Sequence, residues 1–303
     1  MGRWTAIGAG TLIVLALAVW LVALPYMVVH AARTPLDATP RAFGVAYRDV
    51  SFPTRGGVLT LRGWWMPVDG AKAVVIFVHS GNGNRRDFYA GGLEMEAFLA
   101  KHRYDVLAFD QRNHGTSDAT ADGQITLGIE ESRDALGAFD YARKITPGLH
   151  VILLADSMGG ATSIYAAHDE PRIAGLMLID PVLDRGTVEI GAIYANLGLP
   201  HVLVPAIAWS ARIFFAHKLA ARDALAEGER LKQPILLIGD DRDPVCLPRF
   251  ARALASANSN VQMWVSLDPD RPTGRWGYHT AAYKQHGPEV EQLLLDFLAQ
   301  HAA

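Results

Sequence analysis

The 303-residue chain is 50% hydrophobic and 19% charged, with 28 Lys and Arg against 31 Asp and Glu for a formal net charge of −3. That composition excludes disordered and collagen-like chains, and a near-neutral balance without any Lys/Arg-rich run offers no electrostatic footprint for nucleic acid. The single cysteine, Cys246, cannot form an intramolecular disulfide and has no zinc-ligand spacing around it, so it reads as a small buried hydrophobe and no metal site is expected.

The first element is apolar. Trp4 through Val29, 26 residues, contains no Asp, Glu, Lys, Arg or His. A helix of that length spans about 39 Å at about 1.5 Å per residue, enough to cross a bilayer with some tilt. Trp4 and Tyr26 sit where interfacial aromatics belong. A cleaved signal peptide and a buried helix of a soluble protein are the rival readings; the apolar run is longer than a signal sequence usually carries. The expectation is a single-pass N-terminal anchor over 1–30, with the membrane face of the rest of the chain undetermined. A linker-like stretch with Pro35 and Pro40 follows over 31–44, and residues 45–303 suit one α/β domain.

Eight strand-like runs come next: Val45–Phe52, Val58–Met66, Ala73–His79, Asp105–Asp110, His150–Ala155, Gly175–Asp180, Pro234–Gly239 and Val261–Leu267. The first two, flanking Pro53 to Gly57, predict a hairpin. The later ones are short and mostly apolar, as parallel strands buried on both faces should be. Helical patterns cover Glu94–His102, Glu130–Arg143, Met158–His168 and Pro288–His301. The predicted architecture is an eight-stranded, mostly parallel sheet with helices on both faces.

Chemistry-bearing residues follow the strands. Val151 to Ala155 runs into Asp156-Ser157-Met158-Gly159-Gly160 and then a helix, which is the strand, sharp turn and helix of a nucleophile elbow. The blander reading is that Ser157 caps the helix. A serine nucleophile needs a base, and the base needs an orienting acid. After the seventh strand come Asp240, Asp241 and Asp243; Asp243 is the expected acid and the other two are alternatives. After the eighth, His279 lies in a Gly-flanked loop and is the expected base, with His286 and His114 as weaker candidates. The loop His79-Ser80-Gly81-Asn82-Gly83-Asn84 is suited to close backbone approach, so the N–H groups of Gly81 and Met158 are the expected oxyanion donors. A phosphate-binding loop lacks its Gly-Lys-Ser/Thr here.

With these residues in view, 45–303 resembles the α/β-hydrolase superfamily, in its lipase-like and serine-aminopeptidase-like branch of membrane-anchored serine hydrolases. The family's His-Gly oxyanion loop is similar to His79–Asn84, its Asp-x-Arg-Gly-x-Gly loop to Asp110–Gly115, and its Gly-x-Ser-x-Gly-Gly elbow to Ala155–Gly160. Ser80 and Ala155 stand where glycine is usual. The resemblance implies hydrolysis of an ester, thioester or amide through an acyl-enzyme, without metal or organic cofactor. It disfavours dehalogenase and epoxide-hydrolase chemistry, whose elbows carry aspartate. An acyltransferase with the same triad, a thioesterase, a peptidase and a non-catalytic anchored scaffold are the alternatives to an ester hydrolase.

In such proteins the insertion between the sixth and seventh strands governs substrate choice, and here it spans 184–233 as an expected helical lid. Ile190 to Ser210 carries no Asp, Glu, Lys or Arg. Pro200 and Pro205 argue against a second membrane span. Either its apolar face packs on the core, or Ile193, Leu197, Leu203, Trp209 and Phe214 meet a lipid surface or acyl chain. Asn82, Trp209 and Phe214 are the expected substrate contacts, and a small-molecule or lipid ester the expected partner.

Overall fold

A computed structural model describes residues 2–57, 59–185, 191, 198, 202, 204–214, 222–267 and 277–302. Eight strands form one sheet: β1 (Arg48–Pro53), β2 (Thr60–Met66), β3 (Val74–Val78), β4 (Asp105–Asp110), β5 (Val151–Asp156), β6 (Gly175–Ile179), β7 (Ile235–Asp240) and β8 (Val261–Ser266). Their order is β1-β2-β4-β3-β5-β6-β7-β8. The β1–β2 and β2–β4 pairs are antiparallel and all others parallel, so the predicted hairpin and mostly parallel sheet are both present.

The core divides by strand period. Successive side chains of a strand point to opposite faces, and so Val74, Ile76, Val78, Leu153 and Ala155 enter one buried cluster while Val75, Phe77, Ile152 and Leu154 enter the other. Helices α4 (Ser132–Ile145) and α5 (Met158–Asp169) cover the first face; α3 (Gly92–Lys101) and the last helix cover the second. Between β6 and β7 the described helices are α6 (Val204–Phe214) and α7 (Ala224–Gly228). Ile193, Leu197 and Leu203 lie outside the described residues, as does the side chain of Phe214.

Three expectations need correction. The apolar N-terminus is not one uniform helix: α1 (Gly2–Ala18) has 17 residues, a π-helical turn covers Val19–Ala23, and α2 (Leu24–Val29) adds six. Among the described residues no helix is long and apolar enough to cross a membrane. The interruption has a local cause, since Pro25 offers no N–H to the carbonyl four residues back. Second, α8 (Pro248–Ala257) went unforeseen; Ala251 and Leu254 are buried and Phe250 packs half-buried against the core. Third, the last helix, α9 (Ala282–His301), begins at Ala282 rather than Pro288 and kinks at His286, two residues before that proline.

The stretch before the sheet is strapped to it. Val29 O accepts from Ile125 N–H at 2.9 Å, Arg33 donates to the carbonyls of Gly115 and Ser117 at 2.9 and 2.8 Å, Asn84 Nδ2 donates to Thr34 O at 3.1 Å, and Arg86 pairs with Asp37 at 2.9 Å. Helix α6 packs on the π-helical turn and on α2.

Candidate active site

Strand order decides where the loops meet. β3 lies between β4 and β5, and the chain leaves β3 toward β4 but leaves β5 toward β6, so the two connections diverge and open a crevice at the carboxyl ends of these strands. The register pairs Val78 with Ala155 and with Phe109, setting His79–Gly81 beside Asp156–Met158 and beside Gln111–His114.

Ser157 occupies the turn between β5 and α5 with φ 50° and ψ −117°, a conformation costly for a residue with a Cβ. The surroundings hold it there: its N–H donates to Ile179 O at 3.0 Å, and its carbonyl accepts from Gly160 at 3.0 Å and Val182 at 2.9 Å. The requirement for a small residue two after the serine is steric, because a Cβ at Gly159 would stand 2.0 Å from Val78 O.

From this turn runs a relay. Ser157 Oγ lies 2.8 Å from His279 Nε2, and His279 Nδ1 lies 2.8 Å from Asp243 Oδ2. The other oxygen of Asp243 accepts from the N–H groups of Val245 at 2.6 Å and Cys246 at 2.9 Å, which fixes the orientation of the carboxylate. Burial alone would lower the pKa of His279; the charge and hydrogen bond of Asp243, with Asp180 and Asp87 further off, raise it above the ordinary histidine value. A base oriented in this way can take the serine proton and hold the resulting charge.

The competing candidates have other work. Asp240 Oδ1 accepts from Arg242 N–H at 2.8 Å, and Asp241 pairs with Arg252. His286 sits between Ser266 Oγ and Glu289, each at 2.9 Å. The ring nitrogens of His114 lie 2.7 Å from Arg112 O and 2.8 Å from Gly81 O, so it steadies the glycine loop.

That loop is held from several sides. His79 Nε2 accepts from Gln111 N–H at 3.0 Å, which leaves Nδ1 to donate to Ser80 O at 2.7 Å. Burial, with the charge of His114 next, depresses His79 to about 4, so the ring is neutral. Gln111 in turn donates to His79 O at 2.7 Å and accepts from Thr162 Oγ1 at 3.1 Å. With Ser80 O fixed, a trans peptide directs the Gly81 N–H to the opposite side. Gly81 adjoins Met158, since a Cβ on it would lie 3.4 Å from Met158 Sδ. Met158 is the first residue of α5, where N–H groups have no intrahelical acceptor and the helix dipole favours negative charge. Asn82 is exposed beside Gly81, and Trp209 is 62% exposed on α6.

Two supporting residues had no sequence signal. Asp180 accepts from Asp240 N–H at 3.1 Å and Thr280 N–H at 2.8 Å, bracing both the acid and the histidine loops. Cys246, expected to be simply apolar filling, lies within 4.8 Å of ligand atoms of Asp243 and His279. The facing atoms of that acid and histidine are already joined to each other, so the grouping is that of the relay. Burial, then the charge of Asp243, push the Cys246 thiol well up.

Residues 73–198 match the family model of the alpha/beta hydrolase fold. Human monoglyceride lipase is 32% identical over 158 residues, 49% of this chain and 49% of that protein, and the rat monoglyceride lipase is 33% identical over 125 residues, 40% and 38%. The chain thus aligns with about half the length of these curated relatives or less. An esterase of Pyrococcus furiosus superposes with a TM-score of 0.73 at 22% identity, covering 91% of this chain and 98% of that one. An esterase of Exiguobacterium antarcticum gives 0.58 at 16%, covering 82% and 99%. The family match spans β3 to β6 with the serine elbow between them, and the likeness to these solved structures extends over most of the chain; this chain has the α/β-hydrolase fold.

Proposed function

We propose that the protein is a serine hydrolase that cleaves a carboxylic ester through an acyl-enzyme. The observation that carries this reading is the relay from Ser157 through His279 to Asp243, with both contacts at 2.8 Å. In the proposed sequence Ser157 Oγ attacks the ester carbonyl as His279 Nε2 takes its proton. The carbonyl oxygen, now negative, accepts from the N–H groups of Gly81 and Met158. His279 then protonates the departing alkoxide, and an alcohol leaves. Water, deprotonated by His279, attacks the acyl carbon and returns the proton to Ser157 as the acid is released.

The substrate proposed is a long-chain acyl ester of the monoglyceride type. Its support is the name of the curated relatives and the apolar surface of α6, where Trp209 and Ile213 are 62% and 50% exposed. Membrane attachment is proposed through the N-terminal segment, in which α1, the π-helical turn and α2 follow one another without a gap from Gly2 to Val29. Its apolar side chains are largely exposed, among them Leu12, Ile13 and Val14. Because α6 packs on α2, attachment would hold the lid at the lipid surface and raise the local concentration of membrane-borne ester.

A fluorophosphonate probe tests the nucleophile without a known substrate. Wild type in detergent should label and Ser157→Ala should not; a folded wild type that fails to label overturns the reading. Deleting residues 1–29 should move the protein from the membrane to the soluble fraction, and unchanged fractionation rejects the anchor.

A further inference from the structure

Asp156 ends β5 and immediately precedes Ser157; its side chain is fully enclosed, and neither oxygen has a hydrogen-bond donor among the described residues. An ionised carboxylate there would be stripped of water with nothing in return. The strand register sets Asp156 beside His79, next to the Ser80 that Asp87 bonds, and the Asp87 carboxyl acts on Asp156 by charge and hydrogen bonding. Asp87 is equally buried but well supplied: Oδ2 accepts from Ser80 N–H at 3.0 Å and from Ser80 Oγ–H at 2.8 Å, and Oδ1 from Ala90 N–H at 3.3 Å. A Cβ on Gly83 would stand 2.4 Å from Asp87 Oδ2, so the loop is shaped around this carboxyl.

Among the described residues no cation is on hand to neutralise a second charge. Arg86 is engaged by Asp37 and Glu94, Arg85 by Asp110 and the Trp64 ring, and Lys284 by the Phe88 carbonyl. His279 serves Asp243, while Glu96 and Asp180 add carboxyls of their own. Two carboxyls in contact in a dry interior cannot both ionise. The one with three donors keeps the charge, and the one with none keeps the proton. Burial, followed by the charge of Asp87, accordingly holds Asp156 well above the usual carboxylate range.

We propose that Asp156 and Asp87 share one proton, with Asp156 O–H donating to Asp87, and that this pair ties the glycine loop to the serine turn. Both are positioning residues. The link runs from Ser157 through its neighbour Asp156 to Asp87, then to Ser80 and the Ser80–Gly81 peptide that carries the oxyanion donor. The hydroxyl of Ser80, at a position where relatives usually carry glycine, supplies Asp87 with its second donor from the loop. The kinetic consequence rests on the esterase reading; the shared proton does not.

The test uses the full chain in detergent near neutral pH. Infrared difference spectra of wild type against Asp156→Asn should contain a protonated-carboxyl band from wild type alone, and its absence overturns the shared proton whether or not the protein labels. Asp87→Ala and Asp156→Ala should lower kcat about tenfold or more with KM little changed, as displacement of a prepositioned donor does. Asp156→Asn, whose amide can still donate to Asp87, should recover most of that loss and also covers the case in which the alanine variants fail to fold. A folded Asp87→Ala with kcat near wild type, or an Asp156→Asn no better than Asp156→Ala, overturns the positioning role. If wild type does not label with the fluorophosphonate, the esterase reading fails by itself and the infrared band alone decides the pair.

Discussion

The loops at the carboxyl ends of β3, β4, β5, β7 and β8 differ in kind from the apolar surface made by α6 and the N-terminal helices. In the first region polar groups are buried and bonded several times over, so that Ser157 keeps an unfavourable backbone conformation and His79 stays neutral. In the second, large apolar side chains such as Val202 and Trp209 stand in the open, and little polar bonding fixes them. The contrast separates two tasks. On the proposed function, reactive geometry is set by the sheet, and selection of an apolar substrate falls to a surface that can be changed at small structural cost.

Substitutions in the first region should therefore act steeply on rate or stability. Asp243→Asn keeps the shape of the acid but gives His279 a partner that cannot balance its charge; kcat should fall by about 10⁴, and a loss under tenfold would assign the acid elsewhere. Gly159→Ala drives a Cβ to 2.0 Å from Val78 O. It should cost about 1–3 kcal/mol or more, the usual range for overpacking, seen as a lower midpoint in denaturant.

Smaller effects sharpen the contrast. Glu96 of α3 is fully buried, and neither of its oxygens has a hydrogen-bond donor among the described residues. Burial, then the charge of Asp87, raises its pKa well above the ordinary glutamate value of 4.5. A raised folded value means that its contribution is intact below the unfolded pKa and is lost as pH rises through the folded one. Glu96→Met should remove that alkaline loss and stabilise the protein at high pH by about 1–3 kcal/mol, read as a flatter dependence of Tm on pH. Replacing Trp209 and Ile213 together by Ser should reduce the preference for long-chain over short-chain esters by about tenfold, about 1.4 kcal/mol, with Tm nearly constant. An equal fall for both chain lengths would show that α6 supports the relay instead.

Much of this was legible in the chain. Runs such as Asp105–Asp110 and Val151–Ala155 announce buried parallel strands because both faces must be apolar, and the order Ser157, Asp243, His279 follows from three strand ends that each carry a polar loop. The broken N-terminal helix was less legible, since apolar composition masks what Pro25 does to the hydrogen-bond ladder. Helix α8 was less legible because its apolar face is short, made by Phe250, Ala251 and Leu254 alone. Asp180 and Asp87 gave no local sign at all, because their partners lie far along the chain or across a turn.

Sequence alone determined the strand set, the sharp turn at Ser157 and the types of residue available to act as acid and base, because these depend on local periodicity and on side-chain size next to the backbone. Tertiary structure decided which acid and which histidine meet the serine. It also paired Asp156 with Asp87 and set α6 against α2. Such choices depend on strand order and register, which bring together residues more than a hundred positions apart, such as Ser157 and His279, and no local pattern encodes a distance of that kind.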